Sequence, residues 1–186
     1  MPNLAANLPY PPHWVNAYLR AELEKYDDIG VSTTQALSPI FATTPTNINE
    51  LWNQILQSGD VSNPLLIQYE HLMRFRSRPF YGTRKDQLVY YLYSDTTANI
   101  YNAINVITYL FDREDAAAQD LNKWAVENAA SVGQPHNVFF HSMRVYHIDE
   151  SRDVIELGSA KTFTANKIIV EYDYHLSVDP QTFPYT

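Results

Sequence analysis

Hydrophobic and polar positions change period once within the stretch 87–112, QLVYYLYSDTTANIYNAINVITYLFD, and that change organises the chain. Leu88, Val89, Tyr90, Tyr91, Leu92 and Tyr93 form an unbroken run of aliphatic and aromatic residues, so the spacing predicts a strand covered on both faces. Ser94 and Asp95 then supply a helix N-cap. Beyond them Ile100, Ile104, Ile107 and Phe111 recur at helical spacing and mark one apolar stripe. The helix is expected to break at DRED, residues 112–115, and to resume with Ala117, Leu121, Trp124 and Asn128 on one face. It should stop before Gly133 and Pro135.

The flanking elements follow from the same patterns. A helix is predicted over 13–25, where Val15, Leu19 and Leu23 share a face with Trp14 and Tyr18 beside them. Residues 31–47 are rich in Thr, Ser, Ala and Pro and read as a loop or a single edge strand. A short helix over 47–57 takes Asn47 as its N-cap, with Glu50 three residues on. A first long strand over 65–75 leads through a hairpin tip, 76–87, into the central strand. Strands are expected over 137–148 and, shorter, over 154–157. The clearest alternation runs over 166–178. There Ile168, Val170, Tyr172, Tyr174, Leu176 and Val178 point to the core, and Glu171, Asp173, His175 and Ser177 point away from it. Together these elements predict an α+β fold. An antiparallel or mixed sheet with a long hairpin packs against one long helix, with an N-terminal helical extension. Three regions result: an arm with short helices over 1–64, the α+β domain over 65–178, and a Pro-containing tail over 179–186.

Composition narrows the functions on offer. The formal net charge of −8 disfavours DNA affinity of the whole surface, which requires a basic face. Without cysteine there is no disulfide, thiolate metal site or Cys nucleophile, which suits an intracellular or particle-assembled protein. The opening MPNLAANLPYPPHW lacks the basic and apolar regions of a signal peptide, and no window reaches membrane-spanning length. The 14 tyrosines outnumber the 8 phenylalanines, a balance that suits extensive contact surface, since Tyr pairs an apolar ring with a polar tip.

Catalytic signatures are weak. The five glycines form neither a GxGxxG nor a Walker loop, and there is no GxSxG. The carboxylate pairs Asp27/Asp28, Glu114/Asp115 and Asp149/Glu150 sit in turn-like segments, where solvation explains them. Six histidines include His141 and His175 on strands expected to pair. With Asp173 these two could build a metal site, but no HExxH or HxH spacing supports it and the face reads as exposed. The reading therefore assigns no catalytic residues, no cofactor and no metal. The most specific surface feature is the basic, aromatic hairpin tip, and Arg76, Arg78, Phe80, Tyr81 and Arg84 have the chemistry of partner-docking anchors. Tyr172 and Tyr174 are assigned to the core.

The hairpin running into a helix, the stretch NIYNAINVITYLFDRED with its acidic break, and the strand IIVEYDYHLSV with a Pro-aromatic tail resemble the tail terminator and neck proteins of long-tailed bacteriophages. The likeness is greatest to those of contractile-tailed phages and covers residues 65–178. It implies a non-enzymatic virion protein, assembled in the host cytoplasm, that forms a homohexameric ring at the head-proximal end of the tail. The implied partners are the tail tube protein, the head connector and neck proteins, and the tail sheath protein. DNA would pass through an acidic lumen without specific binding, and no membrane is involved. Besides a generic soluble adaptor that stays monomeric, two other readings stand beside it. One is a head-completion or connector protein of the neck. The other is a small metal-dependent hydrolase built on His141 and His175.

Overall fold

The structure is a computed structural model that describes residues 11–25, 37–43, 47, 50–51, 53–54, 64–74, 83–94, 96–132, 138–149, 153–157 and 160–176. Its elements are α1 (Pro11–Glu24), β1 (Ser38–Thr43), β2 (Pro64–Arg74), β3 (Arg84–Ser94), α2 (Thr97–Phe111), α3 (Asp115–Val132), β4 (Val138–Ile148), β5 (Asp153–Leu157) and β6 (Ala160–Leu176). The fold is α+β. The strands lie in the order β1-β2-β3-β6-β4, and β5 pairs with β6 as well. β1 runs parallel to β2 and every other pairing is antiparallel, so the sheet is mixed.

The long hairpin is present, and it extends further than charge alone suggested. Arg84 and Lys85, expected at the tip, stand in β3 opposite Tyr174 and Asp173 of β6. The tip residues Arg76, Arg78, Phe80 and Tyr81 lie outside the described residues. The tail beyond Leu176 lies outside them too.

One core fills the space between the sheet and the three helices. Leu88, Tyr90 and Leu92 of β3 and Ile168, Val170, Tyr172 and Tyr174 of β6 turn inward to meet Ile100, Val106, Ile107, Leu110 and Phe111 of α2. The inward face of β6 is the one that its alternation predicts. α1 joins the same core through Trp14, Val15, Tyr18, Leu19 and Leu23, and Tyr90 donates to Asn16 Oδ1 at 2.7 Å. The stretch read as an arm thus supplies a helix to the domain core and, in β1, an edge strand to its sheet. On the opposite sheet face a smaller cluster joins Ala42, Leu66 and Tyr93 with Ile40, Leu51 and Tyr91. β3 is therefore covered on both faces, as its unbroken apolar run requires. Glu50 N donates to Asn47 Oδ1 at 3.4 Å, the cap predicted for the short helix.

The helical stretch breaks where the sequence predicts, into α2 and α3. Between them Glu114 adopts φ 49°, a left-handed conformation that costs a non-glycine residue energy. The start of α2 differs by a residue from expectation. Thr96 is the N-cap, its Oγ1 accepting from Asn99 N at 3.3 Å. Ser94 is buried and donates to Pro64 O at 3.0 Å, which ties the end of β3 to the start of β2, while its Oγ accepts from Thr96 N at 3.4 Å and from Asn99 Nδ2 at 3.1 Å, so it braces the helix start from one step outside the cap.

Candidate functional site

Three polar groupings and one aromatic flank could carry function. The first is an ion network on the sheet face opposite the helices. Glu171 was expected to face solvent, yet it is only 4% exposed. Its partners come from both neighbouring strands. Gln87 Nε2 donates to Oε2 at 3.0 Å, while Lys85 Nζ at 3.1 Å and Arg144 Nε at 2.9 Å and Nη2 at 2.5 Å converge on Oε1. Burial pushes the Glu171 carboxyl pKa up, but the bonds from Lys85, Arg144 and Gln87 outweigh it and hold the group below the usual range. Lys85 also lies 3.6 Å from Asp173. With every charge matched to an opposite one, this network is a cross-strand clamp rather than a reaction centre.

The second grouping sits where the hairpin meets β6. Tyr174 donates to Asp86 Oδ2 at 2.8 Å, and His71 Nε2 donates to the same oxygen at 3.0 Å. One buried carboxylate thus joins β2, β3 and β6. Burial and the adjacent Asp86 charge push the Tyr174 hydroxyl pKa up strongly, so it stays a donor at any physiological pH. This network escaped sequence reasoning because its members belong together only through strand register.

The third grouping is the histidine pair. β4 and β6 do pair, and His141 Nε2 stands 2.6 Å from His175 Nδ1. Phe139 stacks on the His175 ring at 5.3 Å. Asp173, the third ligand considered, turns toward Lys85 instead. No group of three metal-binding side chains occurs among the described residues. Burial, then the neighbouring His141, holds the His175 pKa below its ordinary value. The folded state therefore resists protonation that the unfolded chain accepts near pH 6.5. Stability should fall as pH drops through that value toward the lower native one, and His175→Asn should flatten the profile. Urea midpoints at pH 7.5 and 5.5 for both proteins measure the difference.

The aromatic flank lies where α2 ends beside the edge strand β4. Tyr101 and Tyr109 stand two turns apart on the outer stripe of α2, 41% and 52% exposed, and Tyr146 of β4 is 54% exposed. The Arg113 guanidinium lies 4.9 Å from the Tyr109 ring centroid, and that of Arg144 lies 5.7 Å from Tyr146. Val145 N donates to Asp112 Oδ1 at 3.3 Å, which ties the end of α2 to the edge of β4. The Arg113/Tyr109 pair lies on the helix side of that edge, and Arg144, with Tyr146 beneath it, reaches Glu171 on the other sheet face. The outer edge of β4 is already occupied there. Asn122 exchanges two hydrogen bonds with the Phe140 backbone, at 2.8 and 3.0 Å, and Met143 N donates to Glu114 O at 3.2 Å. Strand addition along this part of β4 is therefore blocked, while the tyrosines above it stay accessible.

A groove of about 410 Å³ runs between α1, β1, β2 and α3. Phe41, Tyr69 and Trp124 form its aromatic walls, with Arg20 over the Phe41 ring at 5.2 Å. Of the docking residues read from the sequence, Arg84 is the one within the described residues, and it is part-buried in β3 rather than presented on a tip. The Arg–Tyr pairs at Arg113/Tyr109 and Arg144/Tyr146 were not singled out, although spacings of four on a helix and two on a strand were visible. The chain matches no protein-family model, and no curated protein is significantly similar to it.

Proposed function

We propose that this protein is a structural virion protein that assembles as a homohexameric ring at the head-proximal end of a phage tail. In that role it ends the tail tube and joins it to the head connector, with the sheath as a further partner in a contractile tail. The observation that supports the reading is the set of exposed tyrosines on α2 and β4, Tyr101, Tyr109 and Tyr146, two of them carrying an arginine over the ring. Tyr and Arg are the residues most often found as interface anchors, and a ring buries such a surface on each subunit. Because hydrogen bonds to Asn122, Glu114 and Asp112 occupy the neighbouring β4 edge, contacts on this flank are made by side chains. The net charge of −8 suits a channel lining that lets DNA slide, since it offers no excess of cations to replace counterions.

Native mass spectrometry of the full chain, alone and mixed with purified tail tubes, tests the reading. The expected species is a hexamer, free or seated on the tube end. A chain that stays monomeric at high concentration and with tail tubes present overturns it. The neck-connector alternative differs in predicting a ring that binds head connectors and ignores tail tubes, so the same mixtures separate the two.

A further inference from the structure

We infer that His141 and His175 form a two-imidazole chelate for a divalent transition-metal ion of square-planar preference, Cu(II) before Ni(II). The two rings come from adjacent strands, and their facing nitrogens are 2.6 Å apart. His141 is exposed and His175 half-buried, so an ion reaches the pair from solvent. Stacking by Phe139 holds the His175 ring in place. Among the described residues neither ring is paired with a carboxylate: Glu171 is held by Lys85 and Arg144, and Asp173 lies against Lys85.

The spacing selects the geometry. Two nitrogens bound at right angles with bonds of about 2.0 Å stand roughly 2.8 Å apart, whereas a tetrahedral ion separates them by about 3.3 Å. The observed pair needs only a small opening and a turn of each ring to reach the first arrangement. The second requires the strands or side chains to spread further. Imidazole ligands suit copper, nickel and zinc alike, and the order of divalent affinities places copper ahead of the other two.

The proton balance closes without an added reagent. In the apo pair one nitrogen carries the shared hydrogen and the other accepts it. On binding, that hydrogen moves to the outer nitrogen of its own ring, Nδ1 of His141 or Nε2 of His175. Both facing nitrogens then offer lone pairs to the metal.

The test uses the full chain and Cu(II) alone. Calorimetry should show one equivalent bound, and electron paramagnetic resonance should show two imidazole nitrogens on the copper. Substoichiometric Cu(II) should selectively broaden the ring proton signals of His141 and His175 in the unaltered protein, a readout that needs no variant. His141→Asn and His175→Asn should each weaken binding at least tenfold and leave one imidazole nitrogen, while His147→Asn leaves both readouts unchanged. Broadening centred on His13 or His147, retention of full affinity in both substituted proteins, or no binding at all overturns the inference.

Discussion

Replacing Glu171 with Ala should lower the unfolding free energy by roughly 2–3 kcal/mol, one of the two largest effects the structure predicts. The substitution removes the acceptor shared by Lys85, Gln87 and Arg144, and so breaks the link between β3, β6 and β4. It also leaves two cations that had converged on one oxygen facing each other, with Asp173 near Lys85 as the offsetting charge among the described residues. The magnitude stays below that of a fully buried pair because Lys85 and Arg144 are partly exposed and water screens them. The pH dependence has a definite sign. Glu171 titrates lower in the folded chain than in the unfolded one, so its contribution is full above about pH 4.5 and is lost as pH falls through the native value. The Ala variant should therefore lose stability mainly at neutral pH and converge with the parent in acid. Chemical denaturation at pH 7 and pH 3.5 checks both statements. A second variant, Glu171→Ala with Arg144→Met, should recover part of the loss, because it removes one of the two uncompensated charges.

The same residue shows where sequence reasoning reaches its limit. Alternation over β6 placed Ile168, Val170, Tyr172 and Tyr174 inside because period two is a local signal. It could say that Glu171 points to the other face, but not what waits there. Lys85 and Gln87 are more than eighty residues away, and only the β3–β6 register brings them alongside. The α+β class, the long hairpin and the break at residues 112–115 were legible for the same local reason. The placement of α1 was not, since its apolar stripe marks a buried face without naming the surface that buries it. His141 and His175 were paired correctly because their strands were, whereas Asp173 could not be judged without seeing Lys85. Ser94 serves the helix start without being its cap: its hydroxyl donates to Pro64 O and accepts from Thr96 N, while Thr96 takes the cap, a division of roles set by a tertiary contact that the local pattern does not show. The exposed tyrosines were hidden in plain composition. The helical period does set Tyr109 off the stripe of Ile100, Ile107 and Phe111, and the unbroken strand run marks Tyr90 as buried, but neither says that the off-stripe tyrosines stay uncovered.

If the chain assembles as the proposed ring, substituting Tyr109 and Tyr146 together by Ala should abolish that assembly while leaving the monomer folded. Both rings are more than half exposed, so their removal opens no core cavity and should shift the unfolding midpoint little. In a ring the consequence multiplies. Truncating an aromatic anchor costs about 2 kcal/mol or more per interface, and a hexamer repeats that loss at six interfaces. Two anchors at each interface would carry the assembly equilibrium beyond any practical concentration. Arg113 and Arg144 should weigh less. Arg113 is also held by Asp120 and Arg144 by Glu171, so part of each side chain serves its own subunit. Arg113→Ala alone should therefore weaken the ring by a smaller factor than Tyr109→Ala. Sedimentation velocity over a hundredfold concentration range, paired with far-ultraviolet circular dichroism, separates lost assembly from lost fold. Persistence of hexamers in the doubly substituted protein would assign the interface to a different surface, with the aromatic groove of Phe41, Tyr69 and Trp124 as the next to alter, and would remove the observation on which the ring proposal stands.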